Sequence, residues 1–89
     1  MKSRTTKQFR AAFRHLPENV KRQARSAYRL FKQNPDHPGL NFKPLEAIPG
    51  SYSVRISLHY RAVGVRSGDG IVWYWIGSHS DYDKLLSRR

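Results

Sequence analysis

The chain reads as an α+β domain: an N-terminal αα-hairpin packed on one face of an antiparallel, meander-type sheet of three to four strands, with a short C-terminal helix. Three observations predict it. Up to residue 34 the apolar residues recur at helical spacing, and from Leu40 the repeat changes to the period of two expected of a half-buried strand. Later, Ser67-Gly68-Asp69-Gly70 is a hairpin signal, followed by Ile71-Val72-Trp73-Tyr74-Trp75-Ile76, a run apolar on both faces. Helices first and strands after is the order of a layered α+β fold.

Phe9, Ala12, Phe13 and Leu16 fall at i, i+3, i+4 and i+7, one stripe of a helix whose other side carries Lys7, Arg10 and Arg14. Thr5 or Thr6 is placed to cap this helix and Pro17 to end it. A second helix opens at Pro17-Glu18, since proline is tolerated in a first turn and an acid suits the positive end of the helix dipole. Its apolar stripe is Val20, Ala24, Ala27, Tyr28 and Phe31; Arg22, Arg25, Arg29 and Lys32 line the other side, and Asn34-Pro35 forces the stop. Asp36-His37-Pro38-Gly39 is loop. Leu40 to Leu45 alternates, and Pro44, which lacks a ladder donor, marks it as an edge strand. Beyond the Pro49-Gly50 turn, Tyr52, Val54, Ile56 and Leu58 point one way while Ser51, Ser53, Arg55 and Ser57 point the other. Tyr60 to Arg66 is the next strand, and the apolar run ending at Ile76 belongs at the middle of the sheet. Asp81 to Leu86 adds a last helical turn, and Ser87-Arg88-Arg89 is expected to fray. With the helices on one face, the other face of the sheet is left for function.

At 89 residues and 38% hydrophobic composition, residues 1–89 are read as one domain with one modest core. The formal net charge is +11, from 17 Lys and Arg against 6 Asp and Glu, a balance that asks for a polyanion or an acidic protein as partner. The excess is uneven: residues 1–34 hold ten basic residues and one acid, Glu18. Those cations are interleaved with Phe9, Phe13, Tyr28 and Phe31, which argues against a disordered tail. There is no cysteine, no apolar run behind the basic N-terminus, and no stretch of membrane-spanning length, so a cytoplasmic chain without a membrane role is expected.

Two arginines, Arg55 and Arg61, fall on or beside strands, where a guanidinium must be paired or face solvent. Taken singly, each reads as edge decoration that keeps a sheet soluble. Arg61 is the sharper case, because it follows His59-Tyr60 and so groups imidazole, phenol and guanidinium at one strand end. His79 comes just after the central strand, past Gly77-Ser78, and is followed by Asp81-Tyr82-Asp83-Lys84. The same segment also reads as a helix start, with Ser78 or Ser80 as the cap and Asp81 and Asp83 in the first turn. Metal-free RNA cleavage asks for a base for the 2′-hydroxyl, an acid for the leaving 5′-oxygen, and cations for the phosphorane. His79, Arg55 and Arg61 would suffice, with Tyr82, His59, Lys43 and Glu46 as secondary helpers, and Arg22, Arg25 and Arg29 as a basic surface for RNA or the ribosome. No metal is expected, since the four histidines are scattered without ligand spacing, and no cofactor, since there is no Gly-rich phosphate loop. Trp73, Tyr74 and Trp75 would stack bases if exposed, but a central strand makes most of them core.

Leu16-Pro17 after a basic first helix, Lys43-Pro44-Leu45, Tyr52-Ser53-Val54-Arg55-Ile56, Tyr60-Arg61-Ala62-Val63 and Trp75-Ile76-Gly77-Ser78-His79 together resemble the RelE/ParE superfamily of bacterial toxins, over nearly the whole chain. The resemblance implies a toxin of a type II toxin–antitoxin system. In its RelE-type members, which cut mRNA in the ribosomal A site, Arg61 takes the place of the phosphate ligand and Arg55 that of a basic residue on the preceding strand. His79 stands where members hold an arginine or, in the YafQ-like branch, a histidine, and Tyr82 is the nearest match to a following aromatic. The implied partners are an acidic cognate antitoxin, mRNA and the ribosome. Members commonly open with a strand, whereas Met1 to Thr6 is polar and charged, so that strand is either missing or very short. ParE-like members share the fold, inhibit DNA gyrase and lack the nuclease residues. A catalytically degenerate relative that binds only RNA or antitoxin is a third reading.

Overall fold

Helix α1 (Lys7–Arg14) begins where Thr6 turns extended and its hydroxyl accepts the Phe9 N–H at 3.1 Å. Of the two threonines able to cap, the structure uses Thr6, which satisfies one of the orphan donors of the first turn. Thr6→Ala is expected to cost about 1 kcal/mol, read as a lower urea midpoint at unchanged m. The computed structural model describes residues 2–87; Met1 lies outside them, as do Arg88 and Arg89, on which most of the expected fraying falls. Helix α2 (Glu18–Gln33) follows Pro17 and stops at Asn34, with Val20, Ala24, Ala27 and Phe31 buried along the stripe read from the sequence. Among the described residues no helix is long and apolar enough to cross a membrane.

The sheet differs from the expected meander in strand number and direction. Strands β1 (Lys2–Thr5), β2 (Lys43–Pro44), β3 (Ser51–Ser57), β4 (Tyr60–Ser67) and β5 (Gly70–Ser78) form one mixed five-stranded sheet in the order β1-β5-β4-β3-β2. The additional strand is β1, four residues long and parallel to β5, with Thr5 beside Trp73. It carries no apolar alternation because β5 supplies the hydrophobicity. Ser3 accepts the Trp73 indole N–H at 2.9 Å, while Lys2 and Arg4 point outward and protect the edge from pairing with another chain. β2 is an edge strand as Pro44 demands, but it covers two residues instead of the six that alternate. Its neighbour Leu45 donates to the Ser51 carbonyl, so by ladder alternation Pro44, opposite Tyr52, sits at a position that needs no donor. Asn41 then takes a left-handed φ of 47° and turns the chain away from β3 into the single helical turn Pro38–Leu40.

β5 is interior, between β1 and β4, and it changes phase part-way. Val63 pairs with Trp75 but Gly64 with Trp73, so Tyr74 is the extra residue of a bulge. Ile71, Trp73 and Ile76 therefore pack under the helices with Phe31, Leu40, Val54 and Ala62, while Tyr74 and Trp75 face the other side. Gly64 permits this, because a Cβ there would lie 2.8 Å from the Trp73 ring and 3.0 Å from the Val72 carbonyl oxygen.

The far face is not left open as expected. Helix α3 (His79–Ser87), longer than the turn read from Asp81 to Leu86, lies on it. Leu45, Val63 and Tyr82 form a second small core there with Ile48, Tyr74, Trp75, Leu85 and Leu86 around them. Ser51 and Ser53 are buried on this side, and the Ser51 hydroxyl shares a 2.9 Å hydrogen bond with the Tyr74 phenol. What remains open is one end of the sheet.

Candidate functional site

At that end the β3–β4 hairpin, the last residues of β5 and the first turn of α3 meet. Arg55 on β3 lies directly opposite Arg61 on β4, and Arg61 in turn lies opposite Gly77 on β5. Directly paired residues of antiparallel strands share a face, so both guanidiniums leave the sheet on the α3 side. Like charges facing each other across strands are destabilising. Two unit charges about 6 Å apart repel by roughly 0.7 kcal/mol in water and roughly 3 kcal/mol at an effective dielectric of 20.

The protein holds Arg61 there nonetheless. Its guanidinium donates to the Ser57 carbonyl at 2.7 Å and to the Tyr60 carbonyl at 2.9 Å, both from one nitrogen, which fixes the fork and leaves its other donors for a ligand. Partial burial, and then the charge of Arg55, hold the Arg61 guanidinium below its ordinary pKa, while Tyr82 and Asp83 act in the opposite direction. It stays cationic at neutral pH, since arginine starts far above it. Arg55 is exposed.

His79 is the first residue of α3. Its backbone N–H donates to the His59 carbonyl at 2.6 Å, tying the helix start to the hairpin tip, and Ser78 caps the helix by accepting from the Asp81 N–H at 3.1 Å. The strand-end and helix-start readings of this segment are thus both realised. The His79 imidazole has its Nδ1 3.3 Å from the Asp83 carboxylate one helical turn on. A carboxylate at Nδ1 orients the ring and leaves Nε2 to exchange a proton. Asp83 is the residue that sequence reasoning passed over: the signal was the i,i+4 spacing from His79, but an acid in a first turn already had a sufficient explanation in the helix dipole.

Tyr82 is 7% exposed, its ring 6.2 Å from that of Trp75 and 5.8 Å from His79. Packed in this way it supports the site from beneath and offers no free face for a base. Trp75 itself lies against Gly77, where a Cβ would be 2.9 Å from the indole. Trp73 is buried, and Tyr74 and Trp75 are half-buried.

The other sequence candidates divide. His59, exposed at the hairpin tip, joins the cluster. Lys43, opposite Ser53 on the edge strand, shares the face one pair farther back, and Glu46 is exposed just beyond it. The α2 arginines lie on the opposite layer. Arg22 lines a groove with Arg55, Arg25 stacks over the Phe13 ring at 5.4 Å, and Arg29 bonds the Ser26 hydroxyl at 3.2 Å. Among the described residues no three His, Asp or Glu side chains gather closely enough to hold a metal ion.

No curated protein matches the chain by sequence. Among solved structures, it is similar to RelE in the RelB–RelE antitoxin–toxin complex of Methanococcus jannaschii (TM-score 0.74, 14% identity, covering 92% of this chain and 96% of that one). It is similar to the YoeB/ParE toxin of Agrobacterium tumefaciens (TM-score 0.69, 20% identity, 89% and 99% covered). It is also similar to YafQ of E. coli (TM-score 0.64, 14% identity, 91% and 96% covered). At these identities the likeness establishes the fold. The family is given by sequence, where the model of the ParE-like toxin domain matches residues 18–84, from the start of α2 into α3. The chain therefore belongs to the ParE-like toxin domain family, a toxin of the RelE/ParE superfamily.

Proposed function

We propose that this toxin is a ribosome-dependent, metal-independent mRNA endoribonuclease. The observation that carries the reading is the Arg55–Arg61 cross-strand pair beside the His79–Asp83 couple at one open end of the sheet. Two guanidiniums facing each other, one already held by backbone carbonyls, form a cradle whose repulsion the phosphodiester anion would relieve, and the more highly charged phosphorane still more. In the reaction the 2′-oxygen attacks phosphorus and the bond to the 5′-oxygen breaks, leaving a 2′,3′-cyclic phosphate and a 5′-hydroxyl. One group takes the 2′-proton and one supplies the proton for the leaving oxygen. His79 is one of these carriers, and His59, joined to it through the backbone, is the nearest second imidazole. Arg61 and Arg55 stabilise the charge that develops on the phosphorane. Lys43 and the α2 arginines extend the basic surface toward ribosomal RNA.

The partner that silences it is an acidic antitoxin. Support comes from charge, +11 on this chain, and from the Methanococcus jannaschii relative, which was crystallised with its antitoxin.

The test is induction of the chain without a partner, with primer-extension mapping of mRNA ends. Growth arrest with new cuts inside translated codons is expected, and His79→Ala should abolish the cuts while the purified variant keeps its circular dichroism spectrum. Asp83→Asn should slow cutting about tenfold by loosening the imidazole. If His79→Ala cuts as well as the parent, the site is wrong.

The ParE-like family match favours a second reading, a non-nuclease toxin acting on DNA gyrase or another protein. Arrest without mRNA cuts, relieved by charge reversal at Arg22, Arg25 and Arg29, identifies that case, and absence of both arrest and cuts identifies a degenerate relative.

A further inference from the structure

β2 leaves part of the β3 edge uncovered. Its two residues pair with Tyr52 and Ser53, and the left-handed turn at Asn41 takes the chain away just where it would have met Arg55. By ladder alternation from the Leu45–Ser51 bond, the backbone N–H and carbonyl of Arg55 face this gap. The gap is the inner wall of a groove of about 630 Å³ between β3 and α2. Its outer wall carries the side-chain amides of Asn19 and Gln23, its floor is Leu30, Leu40 and Ile56, Arg22 lines it from α2, and Arg55 lines it at the open strand edge. None of the described residues lining it is acidic.

We propose that this groove is a nucleotide subsite for the RNA strand next to the scissile phosphate, an inference that rests on the nuclease reading above. Three features fit a nucleotide. The volume falls in the range of small-ligand sites. The apolar floor offers one face to a base, while two amides and a free backbone pair offer donors and acceptors to its edge, which is how single-stranded RNA is read. Arg22 suits a phosphate, and Arg55 lines the groove at the open β3 edge while its side chain belongs to the catalytic cradle on the other face, so a strand leaving that cradle reaches the groove around this edge. An acidic peptide adding as a β-strand fits less well. The open edge offers the backbone pair of Arg55 alone: the register breaks beyond it, and Ser57 turns to pair with Tyr60 and to accept from Arg61 on the other side of β3. A strand docked there would gain too few ladder bonds to hold it. Asn19 and Gln23, one helical turn apart and without a structural role of their own, are then the residues that set base preference beside the cut.

The experiment uses the full-length, ¹⁵N-labelled chain from cell-free synthesis, titrated with four homotrinucleotides in 2′-O-methyl RNA, which lack the attacking hydroxyl and cannot be cut. Expected are shifts of the backbone amides of Ser26, Arg55 and Ile56 and of the side-chain amides of Asn19 and Gln23, with affinity differing severalfold among the bases. Arg22→Ala should weaken binding about tenfold, the loss of one charge-assisted hydrogen bond. The Asn19→Ala, Gln23→Ala double variant should bind all four bases equally. Shifts confined to the Arg61–His79 end overturn the proposal, as does an acidic hexapeptide that shifts the groove where the trinucleotides do not. The mRNA cuts made by the parent separate the two readings. Cuts with a silent groove sink the subsite alone, whereas a responsive groove without cuts sinks the nuclease and leaves an RNA-binding site.

Discussion

Replacing Arg61 with alanine is expected to lower mRNA cleavage by at least about 100-fold while leaving the chain folded. The magnitude follows from what the side chain does: removing one preorganised donor from a developing oxyanion costs about 10²–10³ in rate. The fold should tolerate the change because two effects oppose. Two hydrogen bonds to the hairpin carbonyls of Ser57 and Tyr60 are lost, but so is the repulsion from Arg55 on the facing strand. Arg61→Lys is not a rescue, since an ammonium at that position is a point charge that cannot satisfy the hairpin carbonyls and still present a fork to phosphate. It should recover less than about a tenth of the lost rate. Arg55→Ala, at an exposed position where the side chain makes no hydrogen bond among the described residues, should cost less, about tenfold. The measurement is the single-turnover rate of cutting on programmed ribosomes, with thermal melting as the control for folding. An Arg61→Ala rate within about threefold of the parent would end the phosphate assignment.

Much of this architecture was legible because helices and strands announce themselves by burial. The stripe Val20, Ala24, Ala27 and Phe31 is buried as its spacing demanded, and the stop at Asn34-Pro35 holds. What escaped was structure whose hydrophobic partner lies elsewhere in the chain. β1 is polar on both sides, and its place beside β5 depends on a serine accepting a tryptophan N–H from a strand about seventy residues away. No local pattern encodes that. The bulge at Tyr74 is a second case. A run apolar on both faces correctly implied an interior strand, but which aromatic turns to which layer depends on Gly64 in the facing strand.

The site was legible as a set of residue types and not as a geometry. Arg55, Arg61 and His79 stood out individually, and the structure brings all three to one end of the sheet. Their mutual register, Arg55 opposite Arg61 opposite Gly77, depends on a hairpin whose tip is irregular between Arg55 and Ser57, so counting residues from the turn would have misaligned it. The α2 arginines show the converse. Equivalent by sequence, they are separated by the helix's rotation, Arg22 toward the groove and Arg25 toward α1.

Phe31→Ala should be the most damaging single change to stability, and the reasons lie in its surroundings. Phe31 is 2% exposed and packs edge-on against Phe42 at 5.0 Å and Trp73 at 5.3 Å, joining α2 to β5 and to the segment that leads into β2. It also borders an apolar cleft of about 110 Å³, lined in addition by Phe9, Phe13, Ala24, Val54 and Trp73. Truncation would merge the volume of the ring with that cleft, and a void between two helices and a sheet held by β1 and β4 has little freedom to collapse. Phe-to-Ala changes in cores cost roughly 3–5 kcal/mol, rising with the cavity left behind. A domain of this size has on the order of 4–13 kcal/mol in all. The melting temperature should accordingly fall by about 15–30 °C, and added salt should not restore it, since no charge is involved. Leu58→Ala is the informative contrast. Leu58 continues the alternation of Tyr52, Val54 and Ile56 and by that pattern would be core, yet it sits at the hairpin tip 64% exposed. Its truncation should change stability by no more than about 0.5 kcal/mol. Comparable losses for the two variants, measured by thermal and urea unfolding, would mean that the hairpin tip is buried against α3 and that the open end of the sheet, on which the catalytic cradle depends, is closed.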